Sequence, residues 1–306
     1  MLQPTRSTPT TPGHEHWTEV DGKPLFLWEK PATSDEMRGT ILFVHGSSMA
    51  STPTFDLQVP GVPEASVMDW FAARGFNTWC FDCRGYGRSY KEPDVLATIA
   101  EGAEDAAAAS EVIMARGGGP LYVYGISSGA LRAALFAQNH PERVARLAVD
   151  AMVWTGDGSP TLEQRRKKLE QWRGTRRRPV DRAFLLSIFN RDHPGTVDER
   201  YVDPFIDQVV ALDDSVPNGT YIDMCANLPV CDPERIECPT LIIRGQYDGI
   251  ASLDDLLAFF KRLKNFNKEI SIIPGIAHAT FTQKNFLMAY AILHEFFTRS
   301  DPVHLG

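Results

Sequence analysis

The chain has 306 residues, and 43% of them are hydrophobic, which is enough for a sizeable core and excludes a mostly disordered protein. Its formal net charge of −8 argues against a general binding surface for nucleic acids or anionic membranes, so we expect neither as a partner. No apolar run approaches the roughly 18 residues that a membrane span requires. Residues 1–16 lack the apolar region of a secretory signal and are expected to form a flexible tail.

The cysteines favour a reduced, cytoplasmic protein, because an odd number in a long chain without a signal does not suggest a disulfide framework. They are Cys80, Cys83, Cys225, Cys231 and Cys238. Cys80 and Cys83 have CxxC spacing, but they fall within an apolar strand pattern and at its exit. We therefore expect them to be core thiols rather than a zinc or redox site.

Strand and helix patterns alternate along most of the chain. The predicted strands are 17–20, 24–29, 41–44, 77–82, 121–124, 144–149, 240–244 and 269–273. The predicted helices are 64–73, 95–116, 130–138, 253–263 and 285–298. The first two strands are expected to form an antiparallel hairpin around Asp21 and Gly22. This alternation predicts an α/β protein with a mostly parallel, doubly wound sheet covered by helices on both faces.

Residues 154–235 break the alternation, with helical patterns, several aromatics and no convincing strand. We interpret this segment as a helical cap inserted between late strands, over a core formed by residues 17–153 and 236–300. Its aromatic residues fit either the lining of a substrate pocket or the cap's own core. They are Trp154, Trp172, Phe184, Phe189, Phe205 and Tyr221.

A basic run crosses the first part of this predicted cap, between residues 161 and 182. Its cationic residues are Arg165, Arg166, Lys167, Lys168, Arg173, Arg176, Arg177, Arg178 and Arg182. A solvated helix face and a docking patch for an anionic substrate or acidic partner both fit this run, and we favour the solvated face.

The sequence Gly125-Ile126-Ser127-Ser128-Gly129 lies between a short apolar strand pattern and an alanine-rich helix pattern. A serine at so sharp a strand-to-helix turn requires glycine two residues before and two residues after it, because larger side chains would collide with the strand or the helix. Such a turn exposes the Ser127 hydroxyl next to the free N–H groups of the helix. The stretch therefore predicts a nucleophile elbow.

Five motifs together resemble those of α/β-hydrolase-fold enzymes, over nearly the whole range 17–298. They are His45-Gly46, the run Asp82-Cys83-Arg84-Gly85-Tyr86-Gly87-Arg88-Ser89, the elbow, Gly245-Gln246-Tyr247-Asp248 and Gly275-Ile276-Ala277-His278. The resemblance implies a catalytic triad of Ser127, His278 and Asp248, in the chain order of this fold. Asp150 also ends a predicted strand at the same sheet edge and is the alternative acid. Asp82 is expected to organise a turn instead.

The resemblance also implies an oxyanion hole formed by the backbone N–H groups of Ser47 and Ser128, with His45 positioning the loop that carries Ser47. Neither contribution needs the serine side chain. The long loop 47–63 contains Met49 and Phe55 and is expected to form one wall of the pocket.

These residues predict a serine hydrolase that acts through an acyl-enzyme, without a metal or organic cofactor, and the resemblance implies a carboxylic ester or lactone of a small molecule as its substrate. Serine at the elbow argues against enzymes of this fold that use a carboxylate nucleophile. A C–C bond hydrolase or a thioesterase on the same triad stays open, as does a noncatalytic ligand-binding protein. The sequence also leaves open whether the chain forms a homodimer.

Overall fold

An eight-stranded sheet organises the computed structural model, which describes residues 10–117 and 119–304. In chain order the strands are β1 (His14–Val20), β2 (Lys23–Lys30), β3 (Gly39–Val44), β4 (Phe76–Phe81), β5 (Leu121–Ile126), β6 (Val144–Asp150), β7 (Arg177–Pro179), β8 (Ser215–Pro217), β9 (Thr240–Gly245) and β10 (Lys268–Ile273). β7 and β8 form a separate two-stranded ribbon, and the large sheet has the order β1-β2-β4-β3-β5-β6-β9-β10.

Helices flank the large sheet and fill most of the segment between β6 and β9. They are α1 (Ser51–Phe55), α2 (Val67–Ala72), α3 (Ile99–Gly117), α4 (Ser128–Asn139), α5 (Pro160–Arg166), α6 (Leu169–Gly174), α7 (Arg182–Asn190), α8 (Glu199–Leu212), α9 (Gly219–Ala226), α10 (Leu253–Arg262) and α11 (Phe286–Thr298). Short 3-10 turns cover Pro63–Ala65, Pro141–Arg143, Pro233–Arg235 and Thr280–Thr282.

The strand directions confirm the predicted fold class. From β4 to β10 every neighbouring pair in the large sheet is parallel, while β1 and β2 run antiparallel at one edge. The central strands are buried along most of their length, as expected for a sheet covered on both faces. The carboxyl ends of β3, β5, β6, β9 and β10 therefore meet at one edge of the sheet.

The predicted N-terminal hairpin is confirmed, but it starts earlier than expected. β1 begins at His14 and pairs with β2 from His14 opposite Glu29 to Val20 opposite Lys23. Residues 14–16 of the predicted tail 1–16 therefore belong to the sheet, and His16 Nε2 lies at hydrogen-bond distance, 2.8 Å, from Glu29 Oε2. Residues 1–9 of that predicted tail lie outside the described residues.

Two helices begin later than the sequence pattern indicates. α3 starts at Ile99 rather than residue 95, because Thr98 and Glu101 form a reciprocal capping box: the Thr98 N–H donates to the Glu101 carboxylate at 2.7 Å, and the Glu101 N–H donates to Thr98 Oγ1 at 3.2 Å. The predicted helix 64–73 is a 3-10 turn followed by α2. Ser66 is the N-cap of α2, because its side chain accepts the N–H of Asp69.

The segment between β6 and β9 contains α5 to α9, in agreement with its helical patterns, and also the β7–β8 ribbon that the sequence did not indicate. Each strand of the ribbon is only three residues long and ends in proline. Such a strand is too short to show a two-residue alternation, so no sequence pattern predicts it.

The five cysteines are all buried and none forms a disulfide, which confirms that Cys80 and Cys83 are core thiols. No helix within residues 10–117 and 119–304 is both long enough and apolar enough to cross a membrane.

Candidate active site

Ser127 occupies the sharp turn between β5 and α4. Its φ of 58° lies in the left-handed region, which L residues other than glycine seldom adopt. A Cβ at Gly125 would overlap the carbonyl oxygen of Gly129, and one at Gly129 would overlap the carbonyl oxygens of Val44 and His45. The two glycines are therefore needed for the close approach of β5, α4 and the end of β3.

His278 joins Ser127 to Asp248. Its Nε2 lies 3.0 Å from Ser127 Oγ, and its Nδ1 lies 3.0 Å from both carboxylate oxygens of Asp248. Ser127 follows β5, Asp248 follows β9 and His278 follows β10. The carboxyl ends of these three strands lie at the same edge of the sheet. The structure thus brings together the three residues that the sequence assigned to a triad.

The surroundings of Asp248 keep its carboxyl group ionised. Burial alone would raise the pKa of Asp248, but the adjacent His278 imidazole and the N–H groups of Ile250 and Ala251 outweigh burial, so the pKa is lowered. Those two N–H groups donate to Asp248 Oδ1 at 2.8 and 3.1 Å. A buried carboxylate in this position favours the His278 tautomer that carries its proton on Nδ1.

Asp150, the alternative acid, has a different environment. Its backbone carbonyl accepts the N–H of Ser127 at 2.8 Å, and its Oδ2 accepts the Tyr124 hydroxyl at 2.6 Å. Its Oδ1 has no hydrogen-bond partner in the part of the chain that the structure describes. Burial raises the pKa of Asp150 to about 7, and Asp248, not Asp150, contacts His278.

The loop after β3 borders Ser127 and is held by His45. A Cβ on Gly46 would lie 3.4 Å from the Ser127 Cβ, which shows how closely the loop passes the hydroxyl. His45 Nε2 accepts the N–H of Cys83 at 3.0 Å, so its proton is on Nδ1, 2.8 Å from the Gly46 carbonyl oxygen. Burial, reinforced by Arg132, lowers the pKa of His45 to about 3, which keeps the ring neutral.

The two residues assigned to the oxyanion hole are neighbours. Ser47 Oγ donates to Ser128 Oγ at 2.7 Å, and both residues are buried. The carbonyl of Ser47 accepts hydrogen bonds from the Tyr86 hydroxyl, at 3.0 Å, and from Arg178 Nη2. The peptide group after Ser47 is therefore held by two separate parts of the chain, and the Ser47 side chain by a third.

Asp82 organises the turn after β4, in agreement with its expected role. Its Oδ1 accepts the N–H and the hydroxyl of Ser51, at 2.8 and 2.6 Å, and its Oδ2 accepts the N–H of Arg88 at 2.9 Å. These bonds connect the turn to the first residue of α1, which lies within the loop 47–63 that the sequence left without secondary structure.

A cavity of about 460 Å³ lies above Ser127 and His278. Its apolar lining residues are Met49, Ile126, Trp172, Phe184, Ile188, Phe205 and Phe281. Four of the six aromatics noted between residues 154 and 235 line it, namely Trp172, Phe184, Phe205 and Tyr221. Of the other two, Trp154 packs against Phe259 and Phe189 packs against Phe205. In the loop 47–63, Met49 lines the cavity, whereas Phe55 belongs to the core with Phe43 and Tyr124.

The basic run divides between the surface and the cavity. Arg166, Lys167, Arg173 and Arg182 are exposed, as the solvated interpretation predicts. The partly buried Arg165 and the exposed Lys168 line the cavity, together with Arg191, which the sequence did not distinguish. The sequence spacing does indicate that these residues share a face. Helical spacing of three to four residues separates Thr161, Arg165, Lys168 and Trp172, and all four line the cavity.

Tyr221 and Arg178 are a further pair that the sequence did not distinguish. The Arg178 guanidinium lies 3.7 Å from the centre of the Tyr221 ring and donates to the carbonyls of Ser47 and Pro217. The Tyr221 hydroxyl lies 3.5 Å from Ser48 Oγ. Burial would raise the pKa of Tyr221, but the nearby guanidinium groups of Arg165, Arg178 and Arg191 lower it to about 7.

Comparison with known proteins supports the same fold over most of the chain. A solved esterase from Thermogutta terrifontis is 21% identical, with 93% of this chain and 100% of that chain covered and a TM-score of 0.65. A soluble variant of the monoglyceride lipase from Saccharomyces cerevisiae is 18% identical, with 97% of this chain and 99% of that chain covered and a TM-score of 0.66. The thioesterase domain from the curacin biosynthetic pathway is 16% identical, with 93% and 100% covered and a TM-score of 0.63.

At these identities the structural likeness establishes the fold alone. A comparison with curated proteins gave no match. The model of the serine aminopeptidase S33 family matches residues 35–285, a range that includes the elbow and the loops carrying Asp248 and His278. The chain therefore belongs to the serine aminopeptidase S33 family and is a serine hydrolase of the α/β-hydrolase fold.

Proposed function

We propose that this chain hydrolyses a carboxylic ester or a lactone of a small molecule, with Ser127 as nucleophile, His278 as general base and Asp248 as the acid that orients His278. The observation that carries the proposal is the continuous contact from Ser127 Oγ through His278 to Asp248, with both links at 3.0 Å, on the wall of a largely apolar cavity. This contact supplies what an unactivated serine hydroxyl lacks, a base within hydrogen-bond distance.

In the proposed reaction Ser127 Oγ attacks the substrate carbonyl while its proton passes to His278 Nε2. The tetrahedral intermediate collapses, the C–O bond to the alcohol breaks, and the alcohol leaves with the proton from His278. Water then attacks the acyl-enzyme, with His278 again accepting a proton and returning it to Ser127. Asp248 stabilises the imidazolium that forms in each half of the reaction.

The N–H groups of Ser47 and Ser128 are proposed to bind the oxyanion of the intermediate. Two observations support this assignment. Ser128 is the first residue of α4, so the helix leaves its N–H without an intrahelical acceptor. The bond between the Ser47 and Ser128 hydroxyls holds the two backbones together beside Ser127. Donors fixed in advance stabilise developing negative charge without reorganisation during the reaction.

We propose that residues 154–235 act as a cap over this site. The cavity is lined from both sides: Gly46, Ser127 and His278 come from loops at the sheet edge, while Trp172 and Phe205 come from α6 and α8. The apolar part of this lining would shield the acyl group from water and strengthen the electrostatic contacts made there.

The cavity chemistry favours an ester over the N-terminal peptide substrates that the family's name suggests. Recognition of a free α-ammonium group would require a carboxylate, but the charged lining residues in the described part of the chain are Arg165, Lys168 and Arg191. We therefore expect aminoacyl p-nitroanilides not to be cleaved. A thioester or a C–C bond beside a ketone suits the same catalytic groups and would be recognised by its own turnover.

The test is a panel of p-nitrophenyl esters of increasing chain length, with lactones and thioesters, assayed on the wild-type protein and Ser127→Ala. Ester or lactone turnover that disappears in Ser127→Ala is the expected result. Labelling of the wild type alone by a fluorophosphonate, without ester or lactone turnover, would keep the serine chemistry but overturn the substrate class. Neither turnover nor labelling would indicate a noncatalytic ligand-binding role.

A further inference from the structure

The cavity that contains Ser127 carries more positive charge than its own residues neutralise. Arg165 and Lys168 line it from α5 and the following turn, and neither side chain forms an ion pair or hydrogen bond with the residues that the structure describes. Arg191 also lines it and is paired with Asp192 at 2.7 Å. This concentration of charge is local, because the whole chain has a formal net charge of −8.

Arg165 is the most informative of these cations. Its guanidinium carbon lies 4.3 Å from the centre of the Tyr221 ring, and the ring is also in contact with Arg178. Burial lowers the pKa of Arg165, the Tyr221 hydroxyl opposes this shift, and the nearby guanidinium groups of Arg191 and Arg178 reinforce it. A partly buried guanidinium without a carboxylate partner is a favourable site for an anionic group of a ligand.

No carboxylate of the described residues pairs with Arg165, and Tyr221 opposes its charge only when the hydroxyl is ionised, so a ligand can supply the anion. Arg178 is engaged by the carbonyls of Ser47 and Pro217, and Arg191 by Asp192. Among the described residues the Arg165 guanidinium has no hydrogen-bond partner, and its planar fork matches the two oxygens of a carboxylate. Lys168, more exposed and on the same face, adds a second positive charge without fixed geometry.

The position of Arg165 connects it to the proposed reaction. The Tyr221 hydroxyl lies 3.5 Å from Ser48 Oγ, and Ser48 follows Ser47 in the loop that passes Ser127. The cation and the nucleophile both line one cavity of about 460 Å³, together with residues of the loop after β3. A small molecule that fills this cavity contacts both.

We propose that the substrate of this enzyme is an ester that carries a carboxylate at the end remote from the scissile carbonyl, and that Arg165 is the residue that selects it. This inference rests on the proposed function, since it names the class of ester that the Ser127 site accepts. Met49, Ile126 and Phe281 would contact the apolar chain between the two ends.

The first test compares two esters with six-carbon acyl chains: mono-p-nitrophenyl adipate, which ends in a carboxylate, and p-nitrophenyl hexanoate, which ends in a methyl group. The ratio of their kcat/KM values is expected to favour the adipate in the wild type. In Arg165→Gln that ratio is expected to fall by about tenfold or more, chiefly through KM for the adipate, because a charge-assisted pair is lost. Arg165→Lys should give an intermediate ratio.

Arg173→Gln is the matched control, because it removes one charge from the same basic run. Arg173 is exposed, is paired with Glu170 at 2.6 Å and does not line the cavity. The wild-type ratio is expected to persist in this variant. An equal fall in Arg173→Gln and Arg165→Gln, or an unchanged ratio in Arg165→Gln, would overturn the proposal.

A second measurement does not depend on turnover. In the Ser127→Ala background, monomethyl adipate is expected to bind at least about tenfold more tightly than neutral dimethyl adipate, as measured by calorimetry, and Arg165→Gln is expected to remove the difference. Equal binding of the two esters would overturn the anion site. Selective binding without hydrolysis of any ester in the wild type would uphold the site and overturn the proposed reaction.

Discussion

The hydroxyl of Ser47 donates a 2.7 Å hydrogen bond to the hydroxyl of Ser128, and this bond connects the loop after β3 to the first turn of α4. The proton of the Ser47 hydroxyl is therefore used within the protein, whereas the Ser128 hydroxyl accepts this bond. In the proposed reaction the Ser47 side chain has a structural task, and the backbone N–H groups of the two residues bind the oxyanion.

Ser47→Ala tests this assignment. Loss of one buried hydrogen bond is expected to lower the free energy of unfolding by about 1 kcal/mol and to lower kcat by less than about tenfold. A double-mutant cycle of Ser47→Ala, Ser128→Ala and the double variant, followed by denaturant unfolding and ester kinetics, measures the coupling energy between the two hydroxyls. A fall in kcat of about a thousandfold at unchanged stability would show that the Ser47 side chain itself acts on the reaction.

Asp248→Asn and Asp150→Asn distinguish the two candidate acids. An amide at position 248 favours the wrong His278 tautomer, so we expect kcat to fall by about 10³- to 10⁴-fold. Asp150→Asn is expected to change kcat by less than about tenfold, because Asp150 has no contact with His278. The reverse order of effects would assign the acid role to Asp150.

Asp150 should also make stability depend on pH. Its folded pKa of about 7 lies above the unfolded value near 3.8, so the folded protein binds more protons between these values and the free energy of unfolding falls as pH rises. Asp150→Asn has no such proton to lose. Its stability relative to the wild type is expected to increase by roughly 2–4 kcal/mol between pH 4 and pH 8.

Urea unfolding of both proteins across that pH range measures this difference. Asp35→Asn, at an exposed position, is the control and is expected to show no comparable trend. A constant difference between Asp150→Asn and the wild type at all pH values would show that the carboxyl group of Asp150 ionises normally in the folded protein.

Gly129→Ala is expected to prevent folding or to lower the free energy of unfolding by more than about 3 kcal/mol, because the new methyl group would overlap the carbonyl oxygens of Val44 and His45. Gly174→Ala is the control, since a Cβ there meets no atom within 4 Å. Thermal unfolding of the purified proteins measures both effects. A folded, fully stable Gly129→Ala protein would contradict the close approach at the elbow.

Tyr221 should make the selection of carboxylate esters depend on pH. Below its pKa of about 7 the phenol is neutral, and the positive charges of Arg165, Arg178 and Arg191 face it without compensation; above that value the phenolate neutralises part of them. The kcat/KM ratio of adipate to hexanoate ester is therefore expected to decrease between pH 6 and pH 8. Titration of the catalytic groups affects kcat/KM for both esters equally, so it does not change their ratio.

Tyr221→Phe keeps the ring and removes the ionisable hydroxyl. The same ratio is expected to be independent of pH in this variant. A decrease of equal size in Tyr221→Phe would assign the pH dependence to a group other than Tyr221.

Residues whose role depends on local geometry could be predicted from the sequence. Ser127 was identifiable because Gly125 and Gly129 are required within the same turn, and the parallel sheet explains why the loops after β9 and β10 bring Asp248 and His278 to that turn. The start of α3 is also determined locally, by the capping pair Thr98 and Glu101, although the helical periodicity of the sequence indicates an earlier start.

Residues whose role depends on distant contacts could not be predicted in this way. Arg178 looks like one cation among many in the basic run, yet it is buried against Ser47 and Tyr221, which are far away in the sequence. Which of the arginines is buried depends on the pairing of β7 with β8 and on the packing of α5 and α6 against α9, and no local sequence pattern predicts these contacts.

The Arg178 guanidinium connects the segment between β6 and β9 to the loop beside Ser127. Because it holds the carbonyl of Ser47 and that of Pro217 at once, a displacement of the β7–β8 ribbon is transmitted to the peptide groups beside Ser127. Replacing this segment with one from another member of the family would preserve Ser127, His278 and Asp248 but remove a restraint on Ser47. A change in the residues that form the pocket would therefore also alter the position of Ser47 unless the two bonds of Arg178 were kept.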